Sequence, residues 1–221
     1  VDRRPWEMRR GLTAEAVTEA LAEDDDGAVR AVLVVHNETS TGVTTDVEAI
    51  GRAMRASGHP AMLFVDAVSS LAVTDLRHDA WGIDVTLTGS QKGLMLPPGL
   101  AMLAVSLGAL EASRSATLPR SYWSWDDLME ANRRGFFPYT PATNLLYGLE
   151  EALAMLEEEG LEQVFVRQDR FRRATRAAVE AWGLEVFALN PAESSAAATA
   201  VLVPDGHDAD ALRALILDRF D

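Results

Sequence analysis

The chain of 221 residues contains no cysteine. Disulfides, thiolate nucleophiles and cysteine metal ligands are therefore excluded, and the absence fits a reducing compartment. Positive charge is also scarce: 20 Lys and Arg stand against 34 Asp and Glu, a formal net charge of −14. Such a balance cannot displace counterions along a phosphate backbone, so nucleic acid is not an expected partner. No apolar run reaches the roughly 18 residues of a membrane span, and no basic-then-apolar leader is visible. The expected setting is the cytosol, without a membrane partner. The histidines, His36, His59, His78 and His207, do not fall at a metal-ligand spacing, so no metal is expected.

Lysine is the rarest charged residue. Of the 20 basic residues one is lysine, leaving 20 − 1 = 19 arginines, and the one is Lys92 within TLTGSQKGLMLPPG (86–99). Arginine forms ion pairs and solubilises a surface as well as lysine does. It cannot lose its proton at ordinary pH and attack a carbonyl as a free amine; lysine can. A lone lysine therefore invites a covalent reading beside the bland one, an ordinary surface residue in an arginine-favouring sequence.

The hydrophobic content of 48% supports a sizeable core. TAEAVTEALAE (13–23) has helical spacing, and AVLVVH (31–36) is an apolar run of the kind found in strands covered on both faces. After NETSTGVT, the stretch Thr45-Asp46-Val47-Glu48 reads as a capping box opening a helix through Met54, which Gly58 and Pro60 stop. AMLFVDAV (61–68), IDVTLTG (83–89) and LAMLAVS (100–106) read as further strands. Strands alternating with helices or long loops predict an α/β domain with a mostly parallel sheet sandwiched by helices. From about residue 142 two long amphipathic helices meet near Gly160, and the tail reads strand, strand, helix. The expected organisation is a large domain over 1–159 and part of a smaller α+β domain over 160–221. The opening VDRRPWEMRRG and the closing ALILDRFD, which reads as a helix turn, suggest an excerpt of a longer protein.

Ligands of open α/β sheets bind beyond the carboxyl ends of the strands. Three polar groups fall at such ends: His36 to Gly42 (HNETSTG), Asp66, and Ser90-Gln91-Lys92. An aspartate at a strand end is commonly a turn or cap residue. In FVDAVSS, however, the carboxylate interrupts apolar residues, and a semi-buried carboxylate needs a cationic or hydrogen-bonding partner. Pyridoxal phosphate accounts for these features together. Its aldehyde condenses with a lysine, and an aspartate keeps its ring nitrogen protonated.

HNETSTG, FVDAVSS, TGSQKGLMLPPG and GFFPYTPATNLLYGLEEALAML, in this order, closely resemble the class V pyridoxal-phosphate aminotransferases. The likeness extends over essentially the whole chain and is strongest to the serine–glyoxylate branch, near relatives of the alanine–glyoxylate enzymes. It implies the fold type I architecture of pyridoxal-phosphate transferases and transamination between serine or alanine and glyoxylate or a similar 2-oxo acid. By this resemblance Lys92 carries the cofactor aldimine and then shuttles the substrate proton. Asp66 pairs with the ring nitrogen, Val68 packs on the ring, Thr39 hydrogen-bonds the ring oxygen, and Gln91 contacts the phosphate. Thr140 is expected to reach the phosphate in a neighbouring subunit, because the family builds its sites across a homodimer. Phe137 aligns where some relatives carry a phosphate-binding tyrosine, with Tyr139 close by.

The resemblance also implies that a glycine-rich phosphate loop lies upstream of these residues and a carboxylate-binding arginine beyond Asp221. Other activities on the same scaffold remain as alternatives. A desulfurase would carry histidine where Gln91 stands and would need a cysteine. A cofactor-free aldolase leaves HNETSTG and Asp66 unexplained. A third alternative is an inactive excerpt that retains dimerisation or weak cofactor binding. Among the remaining residues, Trp123 and Trp125 are expected at an interface. Arg167, Arg170, Arg172, Arg173 and Arg176 read as a solvated helix face. His36 is equally suited to orienting its loop and to packing alone, and Ser69 and Ser70 complete no nucleophilic arrangement.

Overall fold

The computed structural model describes residues 6–220. Strands β1 (Ala31–Val35), β4 (Met62–Asp66), β5 (Val85–Gly89) and β6 (Ala101–Val105) form a sheet in that order. The short strands β2 (Asn37–Glu38) and β3 (Val43–Thr44) pair as a separate antiparallel ribbon. β1, β4 and β5 run parallel, with Val35 opposite Asp66 and Asp66 opposite Leu87; β6 closes the edge antiparallel, with Leu87 opposite Leu103. The α/β class with a mostly parallel sheet is thus borne out.

Helices α1 (Ala14–Ala22) and α2 (Val47–Ser57) cover one sheet face. Val17, Leu21, Ile50 and Met54 from these helices pack with Val34, Leu63 and Val65 from the strands. Gly58 ends α2 in the left-handed conformation, φ 69°. The expected capping box does not form, and the N-cap lies one residue later than expected. Asp46 is the N-cap and accepts from the Ala49 N–H at 2.9 Å, while the Thr45 hydroxyl accepts from the Leu12 N–H at 3.4 Å.

The cover is uneven, in contrast to the expectation from AVLVVH. Pleating places Leu33, Val35, Phe64, Asp66, Leu87 and Leu103 on the opposite face. Leu33 is 75% exposed and Leu103 48%.

A four-residue helix, α3 (His78–Trp81), precedes β5, and α4 (Leu107–Arg114) and α5 (Trp125–Arg133) follow β6. The long helices α6 (Thr143–Glu159) and α7 (Leu161–Ala181) meet at Gly160, as the sequence indicates. Strands β7 (Glu185–Val186) and β8 (Val201–Leu202) pair antiparallel, and α8 (Ala209–Phe220) follows. Val43 packs with Val179, Val186 and Ala188, and Leu94 packs with Leu156 and Val164. The C-terminal elements therefore share core with the loops at the carboxyl ends of the sheet. Arg172 and Arg176 are not simply a solvated face. Each donates to a backbone carbonyl after β7, of Pro191 and Ala188 respectively, while also pairing with Asp169 and Glu180.

Candidate active site

Three parallel strands deliver their following loops to one end of the sheet, and the third loop carries Lys92. Each loop is folded by its own polar groups. In the first, Glu38 accepts from the Ser40 N–H at 2.8 Å and the Ser40 hydroxyl at 2.7 Å, while its carbonyl accepts from Gly42 N–H at 2.9 Å. The Ser40 backbone N–H, then its hydroxyl, hold the Glu38 carboxyl below its ordinary range. This turn leaves Thr39 exposed at its tip. Asn37 Nδ2 donates to Ser69 Oγ at 2.8 Å, and Ser69 Oγ donates to the Asn37 carbonyl at 2.8 Å, tying the first loop to the second.

In the second loop, one Asp66 carboxylate oxygen accepts from the Val68 N–H at 2.9 Å. Its other oxygen has no partner among the described residues. The third loop begins at Ser90. Lys92 is exposed and has neither an ion pair nor a hydrogen bond from its amine among the described residues.

Lys92 opens into a cavity of about 400 Å³. Thr39, Ser69 and Gly93 line it on the sheet side; Leu156, Val164, Arg167 and Ala196–Ala198 line it from the C-terminal elements. The guanidinium of Arg167 is engaged by both oxygens of Glu159, at 2.6 and 2.8 Å. Of the residues singled out by sequence, Thr39 and Lys92 thus share a cavity. Asp66 and Val68 stand on the adjacent strand end, outside its lining, and Gln91, exposed beside Lys92, folds its side-chain amide back over Gly89. Thr140 is exposed in the connection before α6 and is not part of that lining.

His36 is 3% exposed, and its Nδ1 has no partner among the described residues. Burial pushes its pKa down to about 4, against the opposing pull of Asp46 and Asp75. Its ring meets Trp81 edge-on at 6.2 Å, so His36 is a packing residue of the first loop. The wall at Ala196–Ala198 is not marked as a site in the sequence, where SSAAATA (194–200) reads as a low-complexity segment. Ser195 was the available signal: its hydroxyl accepts from the Ala197 and Ala198 N–H groups at 3.0 and 3.1 Å, an ST-type turn.

The "Aminotransferase class-V" family profile matches residues 5–219. The chain belongs to the class-V aminotransferases. It is 49% identical over 208 residues to the serine–glyoxylate aminotransferase of Methylorubrum extorquens, covering 92% of this chain and 52% of that protein. It is 44% identical over 217 residues to the L-aspartate–glyoxylate aminotransferase of Paracoccus denitrificans, covering 98% and 54%. The crystal structure of pyridoxamine–pyruvate aminotransferase from Mesorhizobium loti superposes with a TM-score of 0.86 at 36% identity, covering 93% of this chain and 52% of that one. The chain therefore spans about half the length of the relatives it matches.

Class-V aminotransferases depend on pyridoxal phosphate. The residues present fit that group. An uncommitted amine, a hydroxyl at a turn tip and a carboxylate with one free oxygen follow three neighbouring parallel strands. Among the described residues no cluster of His, Asp and Glu could hold a metal, and no helix is long and apolar enough to cross a membrane.

Proposed function

We propose that the protein containing this chain transfers an amino group from a small amino acid, serine or alanine, to glyoxylate or a similar 2-oxo acid. The observation that carries this reading is the unpaired amine of the single lysine, facing a cavity at the carboxyl ends of the parallel strands. The serine–glyoxylate relative supports serine as donor, and the aspartate–glyoxylate relative supports glyoxylate as the shared acceptor.

Pyridoxal phosphate, when bound, supplies the electron sink that makes an amino acid's α-proton removable. Lys92 would hold it covalently, and its amine, when free, would take the proton from the donor's α-carbon and later deliver one to the α-carbon of the amino acid made from the 2-oxo acid. Asp66 binds the protonated ring nitrogen. Its neighbours across the sheet, Val35 and Leu87, are apolar, so a covered Asp66 would need a cationic partner to remain ionised. Val68 packs against the ring, Thr39 binds the ring oxygen and Gln91 the phosphate. Thr140 reaches the phosphate of a second subunit in a homodimer with shared sites. Residues 1–159 form the large domain and 160–221 the start of the small one.

A second reading concerns the 221 residues by themselves: cofactor binding without turnover. The commitment of Arg167 to Glu159 favours it, because the guanidinium lining the cavity is not free to grip a substrate carboxylate.

Incubation with pyridoxal phosphate, borohydride reduction and peptide mass mapping tests the assignment. The adduct is expected on Lys92 and absent from Lys92→Ala. A folded protein without an adduct at Lys92 would sink it. Adduct formation together with no amino transfer from serine to glyoxylate would favour the second reading.

A further inference from the structure

We propose that Ser90 is the positioning residue of the lysine loop, a clamp that fixes where the Lys92 backbone stands. The proposal rests on the reading of Lys92 as the reacting amine. Residues 90–100 leave β5 and return to β6, and Ser90, at the base, is completely buried. Its hydroxyl donates to the Pro97 carbonyl at 2.7 Å and accepts from the Leu100 N–H at 3.2 Å. Its backbone N–H donates to the Leu100 carbonyl at 3.1 Å, and its carbonyl accepts from the Leu96 N–H at 3.1 Å. One residue thereby makes four hydrogen bonds to three points on the returning limb.

The loop between these points needs holding. Met95 donates to the Lys92 carbonyl at 2.9 Å and adopts φ 60°, an unfavourable conformation for a residue with a side chain. Beyond the lysine, Gly93 abuts the segment that follows Asp66: a Cβ there would stand 2.1 Å from the Leu71 carbonyl oxygen. Leu94 is buried against Ala72, Leu156 and Val164. Lys92 is therefore fixed behind by the Gly93–Leu94 packing and in front by Ser90. The amine itself swings on a flexible stem, so only the backbone position sets the volume it explores.

The hydroxyl is required at this place because a single oxygen must both donate and accept. Alanine would leave the Pro97 carbonyl and the Leu100 N–H unpaired in a buried setting. The loop would relax and spread Lys92 over positions from which few attacks are productive.

Because Lys92 is the only lysine, reductive ¹³C-methylation gives a single side-chain resonance, separated from the α-amino signal by the Lys92→Arg variant. The experiment compares wild type, Ser90→Ala and Ser106→Ala. Ser106 caps α4 and bonds to Asp84 at the opposite end of the sheet, so its loss perturbs stability away from the site. In Ser90→Ala the Lys92 resonance is expected to split or broaden. On unmethylated protein, borohydride trapping of pyridoxal phosphate at Lys92 should slow by about tenfold or more, the scale on which small misplacements act. Ser106→Ala should leave both as in wild type. Should Ser90→Ala fail to fold, Ser90→Cys, which keeps a donor and acceptor on one atom, should show the same changes in weaker form. An unchanged resonance and trapping rate in a folded Ser90 variant overturns the clamp, and so does an equal change in Ser106→Ala. If wild type forms no adduct, the cofactor reading fails while the resonance still decides the clamp.

Discussion

Single residues in this chain carry constraints that composition conceals. His36 follows a strand and looked equally suited to orienting a loop or to packing. Its burial against Trp81 decides for packing, a property of the tertiary fold that no local pattern encodes. The consequence is pH dependence. The folded pKa of about 4 lies below the ordinary 6.5, so the unfolded chain binds the proton more readily. The stabilisation is complete above pH 6.5, fades as pH falls towards 4 and changes no further below that. The difference corresponds to about 3 kcal/mol at most. Urea titrations between pH 7 and 4 should show this loss, and His36→Phe, which keeps the edge-on contact, should flatten it; an unaltered slope would refute the assignment. Gly42, inside HNETSTG, makes a second constraint. It has φ 65°, its carbonyl accepts from the Ser195 N–H at 2.9 Å, and a Cβ would stand 2.9 Å from the Ala200 nitrogen. Gly42→Ala is expected to cost about 1–3 kcal/mol and to loosen the Ala196–Ala198 wall. Hydrogen exchange of residues 194–200 would register that loosening, and unchanged protection there would count against it.

Elements were largely legible because their signals are local. The apolar runs became β1, β4, β5 and β6 with boundaries shifted by a residue or two, and Gly160 separates α6 from α7 as read. The α2 start was less legible, because Thr45-Asp46-Val47-Glu48 offers two caps in succession. The Thr45 hydroxyl is drawn to the Leu12 N–H, leaving the cap to Asp46, and a residue more than thirty positions away decided the matter. Asp46→Ala should therefore cost about 1 kcal/mol. Glu48→Ala should cost under about 0.5, since Glu48 makes only an exposed pair with Arg52 at 3.3 Å. Equal losses in denaturant titrations would restore the capping box. The site was legible in part: the strands followed by HNETSTG, Asp66 and Lys92 are neighbours, and Thr39 and Lys92 line one cavity with Asp66 outside it, whereas the Ala196–Ala198 wall arrives through chain reversal after α7. α8 forms a helix without burying any residue, and a 12-residue helix lacking tertiary support is marginal in water. Its amides should exchange within the dead time of a manual experiment while those of β4 remain protected.

Across the whole molecule, the sheet presents two unlike faces, although its strands are apolar on both. Periodicity cannot distinguish a face that is covered from one that awaits cover, because both need the same residues. Here α1 and α2 occupy one side, and Leu33, Val35, Leu87 and Leu103 stand exposed on the other, framing Asp66. Among the described residues β1 and β6 each have a strand neighbour on one side only, which adds edge backbone groups to that surface. A chain spanning about half the length of its relatives, with such a face open, should not remain monodisperse alone. Light scattering coupled to size exclusion at tens of micromolar is expected to show self-association of the 221-residue chain. Because Leu33 is 75% exposed, Leu33→Lys removes apolar surface without leaving a cavity. Together with Leu103→Lys it should shift the chain towards monomer with little change in far-UV circular dichroism. The net charge of −14 opposes association at long range, so raising the salt should strengthen self-association of the unmodified chain. If the double variant associates as strongly as the original, the contact lies elsewhere, with the exposed Tyr122, Trp123 and Tyr139 cluster as the next surface to test.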